Sequence, residues 1–120
     1  MVCLETTFLI DLLRGDKKVE KFRDELDKSE SILSVASPSI MEIWTGACAK
    51  KLSENGKEKI NELISSFVVL PLDERSAKEA GNIKADLLKS GALIEIEDIM
   101  IAGIARANGE TVVTRDPHYA

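Results

Sequence analysis

Residues 1–15 read "MVCLETTFLIDLLRG". Val2, Cys3 and Leu4 make a short apolar run and Glu5 closes it. From there the period changes, with Phe8, Leu9, Leu12 and Leu13 at helical spacing until Gly15. A strand over roughly 2–5 that hands straight to a helix explains both patterns. A carboxylate at the handover is unusual, because Glu suits neither a buried strand nor a helix cap.

The same alternation continues outward from this stretch. Val19, Phe22 and Leu26 mark a second, more polar helix, and "SILSVAS" (31–37) predicts strand two, stopped at Pro38. "SIMEIWTGACAKKL" (39–52) predicts an amphipathic helix with Ile40, Ile43, Trp44, Ala47 and Cys48 in one stripe. Asn55-Gly56 reads as a turn, Ile60, Leu63, Ile64 and Phe67 as a helix, and "FVVLP" (67–71) as strand three. In "SAKEAGNIKADLLKSG" (76–91), the small Ala77, Ala80 and Gly81 allow close helix packing before Ile83 and Leu87, and Gly91 is a stop. "EDIMIAGIARANG" (97–109) is nearly all apolar, so a buried helix is expected before the last strand, "TVVT" (111–114). Short strands separated by helices imply an α/β fold, a mostly parallel sheet with helices on both faces.

Length and charge narrow the function classes. The 120 residues, 44% of them apolar, are enough for one domain with a real core. No apolar run reaches the ~18 residues of a membrane span, and no signal-peptide pattern opens the chain, so a soluble cytoplasmic protein is the expectation. Cys3 and Cys48 read as small buried hydrophobes. With one histidine, His118, they fall short of a four-ligand zinc site, and a two-histidine ribonuclease mechanism is excluded within one chain. No P-loop and no nucleophile elbow are present. The net charge of −5 disfavours simple tracking of a nucleic-acid backbone unless cations supply positive charge.

Helices that return antiparallel to the strands bring their N-termini to the carboxyl edge of the sheet, where open α/β folds bind ligands. Glu5 ends strand one, Glu42 lies in the first turn of the next helix, Asp98 opens the apolar helix, and Asp116 follows "TVVT". Three of these have ordinary readings. Ser39 and Glu42 fit a capping box, Glu97 and Asp98 suit a helix dipole, and Asp116-Pro117 suits a turn. Together, four converging carboxylates repel unless cations sit among them. Mg²⁺ or Mn²⁺ prefers such oxygen ligands, and two ions about 3.5–4 Å apart can activate water against a phosphodiester. Thr6 and Thr114 flank the acids and can orient a ligand, while Arg14, Lys17, Lys18, Arg106 and Arg115 are candidate phosphate contacts.

The segments "LETTFLIDLLRG", "SPSIMEIWTGA", "IEIEDIMIAGIARANG" and "TVVTRD", in this order, resemble the PIN-domain ribonucleases, in particular VapC-type toxins of toxin–antitoxin pairs. The resemblance implies a single PIN-like domain over 1–120, three-layered α/β/α, with four to five short strands. It also implies a Mg²⁺- or Mn²⁺-dependent endoribonuclease acting on RNA, a homodimer, and a cognate antitoxin that restrains it. Its metal site would be Glu5, Glu42, Asp98 and Asp116. Two departures stand out. The family's first acid is normally Asp, and the extra methylene of Glu5 moves the carboxylate ~1 Å, a displacement that can cost roughly a hundredfold in rate. Relatives also continue past the fourth acid into another short strand, whereas this chain stops at "RDPHYA", so the domain can lack that strand. Two other readings compete. A weakened PIN-fold binding module is motivated by Glu5. A phospho-acceptor receiver would need an Asp at the end of strand three, and "FVVLP" has none.

Overall fold

The computed structural model describes residues 2–113. In chain order the elements are β1 (Val2–Leu4), α1 (Thr6–Leu13), α2 (Lys17–Lys28), β2 (Leu33–Ala36), α3 (Ser37–Ala49), α4 (Glu54–Ser65), β3 (Val68–Leu70), α5 (Glu74–Ser90), α6 (Ile96–Ala107) and β4 (Thr111–Val113). The four strands form one parallel sheet in the order β3-β2-β1-β4. Leu4 lies level with Val35 on one side and Val113 on the other, so the strands end together. The chain builds outward from β1 to β3 and then returns to the far side of β1. That reversal makes the crevice beyond the carboxyl ends of β1 and β4 the topological switch point.

Strand alternation sorts the core into two faces. Leu4, Leu33 and Val35 face one way and pack with Phe8, Leu9, Val19, Ile43, Ala47 and Ile60 from α1 to α4. Cys3 and Ala36 face the other way and pack with Leu70, Ile101, Ile104 and Ala105. The expected three layers are therefore present, and β2 is buried along its whole length, as a central parallel strand must be. Phe22 ties the polar α2 to α1 by meeting Phe8 edge-on at 5.9 Å.

Three local expectations are corrected. Pro38 does not stop a strand ahead of a helix. It sits in the first turn of α3, where its missing N–H costs nothing. Asn55-Gly56 is not a turn, because Ser53 caps α4 by accepting from the Gly56 amide, which draws both residues into the first turn. Cys48 is exposed at the margin of the α3 stripe, whereas Cys3 is fully buried and burial pushes its thiol up to about 11.

Of the small residues expected to allow close packing in α5, Ala80 does so, whereas Ala77 and Gly81 are exposed. A Cβ added at Gly103 of α6 would lie 2.6 Å from the Ala80 Cβ and 2.7 Å from its backbone nitrogen. The two helices touch backbone to backbone there, and α6 is thereby pinned between α5 and the sheet. Gly103→Ala must push α5 away, so equilibrium urea unfolding should show a loss of about 1–3 kcal/mol. A variant as stable as the parent would mean that the two helices are not in this close register.

Candidate functional site

β1 ends at Leu4 and α1 begins at Thr6, so no turn residue separates them. Glu5, extended at φ −84° and ψ 165°, is left at the N-cap position. Its side chain curls back, accepting from the Thr7 amide and from the Thr7 hydroxyl, which lies 2.7 Å from Oε1 and 3.0 Å from Oε2. Glu5 is 1% exposed. The expectation that Glu5 makes a poor cap is thus overturned. The direct handover admits only this residue at the cap, and its longer chain reaches the second amide of the helix by folding back.

Thr6 is next, pointing across to α3. Its Oγ1 lies 3.0 Å from the Ser39 Oγ and 3.2 Å from Glu42 Oε1. Ser39 and Glu42, three residues apart, share this face of α3, and Ser39 is wholly buried. The capping box is absent. α3 starts two residues earlier than its sequence pattern suggested, with Ala36 at the cap, so Ser39 lies inside the helix and Glu42 falls in the second turn.

Glu42 also reveals what surrounds it. Burial raises the proton affinity of its carboxyl, the Thr6 hydrogen bond opposes this, and the negative charges of Asp98, Glu97 and Glu5 raise it further. Glu97 and Asp98 occupy the first turn of α6. Two of the other three anticipated acids, Glu5 and Asp98, therefore act on Glu42, together with the unanticipated Glu97. Asp116 and Thr114 lie outside the described residues. Among the described residues no three acids stand close enough to share one ion, and Glu5 is engaged with Thr7. The donor chemistry fits Mg²⁺ or Mn²⁺, since every donor is a carboxylate or hydroxyl oxygen and the local charge is one that a divalent cation would neutralise.

The basic candidates divide. Arg14 lines a groove of about 240 Å³ with Glu42, Lys50 and the apolar side chains of Ile10, Leu13 and Ile43. Arg106 is corrected. It sits in the last turn of α6, about 12 Å along the axis from Asp98 at 1.5 Å per residue, and pairs with Glu79 at 3.7 Å. Lys17 and Lys18 open α2, beyond the end of α1 that is remote from Glu5, and Arg115 lies outside the described residues. Two residues were missed by pattern reading, Ser39 and Glu97. Each was visible only as half of a helix-end signal. The signal available for Ser39 was its i, i+3 relation to Glu42.

The chain matches the PIN domain family over residues 2–120. It is 31% identical over 99 residues to the tRNA(fMet)-specific endonuclease VapC of Salmonella typhimurium, covering 82% of this chain and 75% of that protein. It is 28% identical over 113 residues to the protein of the same name from Shigella flexneri, covering 94% of this chain and 84% of that protein. Among solved structures, DNA-bound VapBC from Salmonella typhimurium superposes with a TM-score of 0.84 at 29% identity, over 99% of this chain and 90% of that one. VapBC2 from Rickettsia felis, bound to a promoter DNA fragment, reaches 0.89 at 20% identity over 97% and 88%, a likeness of fold.

The Glu42 environment has a consequence for stability. A carboxyl whose folded proton affinity is raised opposes folding when ionised. Its penalty is present at pH 7 and relieved as the pH falls through the folded value. Glu42→Gln keeps an acceptor for Thr6 and removes the charge. In EDTA at pH 7 it should melt a few degrees above the parent, and the difference should shrink on acidification. A lower melting temperature for Glu42→Gln would contradict the repulsive cluster.

Proposed function

This chain belongs to the PIN-domain family, and from that membership we propose that it is a metal-dependent endoribonuclease, the toxin component of a toxin–antitoxin pair. The observation that carries the reading is the electrostatic convergence on Glu42 of acids from the end of β1 and the start of α6, at the switch point of a parallel sheet. In this proposal Glu5, Glu42, Asp98 and Asp116 hold Mg²⁺ or Mn²⁺, with Thr6 and Thr114 in support. When bound, a pair of such ions would supply an activated water and stabilise the leaving oxygen of an RNA phosphodiester. The protein's own part is to hold Glu42 through Thr6, to keep the acids half-shielded from solvent, and to offer Arg14 beside Glu42 as a phosphate contact.

The partners follow from the same membership. The similar solved structures include toxin–antitoxin complexes, which supports a cognate antitoxin for this chain. Exposed Leu72, Leu88, Leu93 and Ile96, on and around α5 and the start of α6, supply apolar surface for a homodimer. No helix among the described residues is long and apolar enough to cross a membrane. One observation favours a second reading. With Glu5 turned onto Thr7, the chain could serve mainly as a PIN-fold module that holds an antitoxin, with little cleavage of its own.

Cleavage of RNA in Mg²⁺ and in Mn²⁺ separates the two. Glu5→Asp should raise cleavage, more so in Mg²⁺, which demands stricter octahedral geometry. Asp98→Asn should lower it by at least about a hundredfold, since even partners of metal ligands cost ten- to a hundredfold. No metal-dependent cleavage by the parent or by Glu5→Asp would favour the binding module. If Glu5→Asp and Glu5→Gln leave the rate unchanged while Asp98→Asn abolishes it, Glu5 is a cap alone.

A further inference from the structure

We propose that the groove between α1 and α3, which opens at Glu42, seats one unpaired nucleotide of the RNA strand beside the cleavage position. Gly46 is bare so that the base can lie against α3, and Arg14 and Lys50 contact the flanking phosphates. The inference rests on the ribonuclease reading above and adds a subsite to it.

Gly46 starts the argument. It lies within α3, and a glycine inside a helix weakens it relative to alanine. Gly103 shows when the fold itself needs such a residue, since an added Cβ there would meet Ala80 at 2.6 Å. At Gly46 an added Cβ would meet nothing within 4 Å. No packing among the described residues therefore asks for glycine at this position. Gly46 instead lines the groove, with Ile43 and Ala47 from α3 and Ile10 and Leu13 from α1. A bare backbone position in a groove is where a bound group can approach closely.

The charges say what that group is. Arg14 caps the end of α1, Lys50 caps the end of α3, and both line this groove. Among the described residues neither is held in an ion pair. The whole chain carries a net charge of −5, so two unpaired cations beside a cluster of acids are a local exception. They complement phosphates. The floor between them is aliphatic, and the flat face of a base is the apolar part of a nucleotide. In a duplex that face is covered by neighbouring bases, so only an unpaired base offers it. A space of about 240 Å³ suits a single base and excludes a duplex. Glu42 lines the same groove, so a strand whose scissile phosphate sits at the acids has this groove as its immediate path onward. An apolar peptide would fit the floor but would leave both cations unmatched.

Fluorescence anisotropy of a single-stranded RNA oligonucleotide on the full chain tests this, with thermal melts as the folding control. Ca²⁺ replaces Mn²⁺ in the binding arm, because it takes the same oxygen ligands at longer distances. Gly46→Ala should melt above the parent and yet bind RNA more weakly. Gly46→Leu, which fills the groove, should weaken binding about tenfold, near the low end for the contact of one base. In Mn²⁺ it should raise KM for cleavage by the same factor and leave kcat near the parent value. Stability gained while binding is lost is the signature, because a glycine kept for folding would show the reverse. Arg14→Gln and Lys50→Gln should each reduce the slope of log affinity against log salt by about 0.7, the value for one phosphate of a single strand. A paired duplex should compete poorly. RNA affinity and KM unchanged in Gly46→Leu would overturn the proposal and leave the groove to an apolar peptide or to nothing. So would salt slopes unchanged in both cation variants, or a duplex that competes as well as the single strand. Should Gly46→Leu fail to fold, Gly46→Ala and the two salt slopes decide. If the parent cleaves no RNA in any metal, the ribonuclease reading fails and this one with it. If the parent cleaves and Gly46→Leu keeps the parent's KM, only the groove assignment falls.

Discussion

The direct passage from β1 to α1 governs the site. With Leu4 the last strand residue and Thr6 the first helical one, three consecutive side chains are assigned by geometry alone. Glu5 caps, Thr6 crosses to α3, and Thr7 donates to Glu5. Parallel pairing on both sides of β1 then places this handover beside the ends of β2 and β4, at the switch point. Little else about the site is free to vary. α3 starts immediately after β2 and so brings Ser39 and Glu42 to the same edge, and α6 arrives there with Glu97 and Asp98.

This arrangement sets two demands against each other. Folding is served when Glu5 satisfies an orphan amide of α1, and it is harmed when Glu42 is ionised among other acids. Metal binding asks the reverse of both, a free Glu5 carboxylate and an ionised Glu42. A shorter Asp at the first position would divide its carboxylate differently between cap and cation. The chain carries Glu, and its capping conformation is the one that the extra methylene permits. The Thr6 hydroxyl bonds Glu42 where the neighbouring acids raise its proton affinity.

Much of this is legible in the amino-acid sequence. The alternation of short apolar runs with helical stripes marked every strand and helix of the described chain, and small Ala80 was read as a place of close packing, though not its partner Gly103. Parallel topology put Glu5, Glu42 and Asp98 at one edge of the sheet, where the charges of Asp98 and Glu5 act on Glu42. What could not be read is what depends on start positions and on distance. Ser39 and Glu42 mimic a capping box in sequence, and only the early start of α3 at Ser37 shows that they face Thr6 instead. Arg106 and Asp98 are eight residues apart on one helix, so composition groups them while the helix axis separates them. Cys48 lies at the rim of a stripe, where a small rotation decides between burial and exposure.

The central claim is that these acids form a divalent-cation site in which Glu5 is recruited away from Thr7. Anomalous diffraction at the manganese edge, from crystals grown with Mn²⁺, tests it most directly. The account predicts a peak among Glu42, Asp98 and Asp116, with the Glu5 carboxylate turned toward it and its hydrogen bonds to Thr7 broken. A map without a peak at this edge at saturating Mn²⁺ would contradict the site, and a peak there with Glu5 still capping α1 would contradict the role given to Glu5.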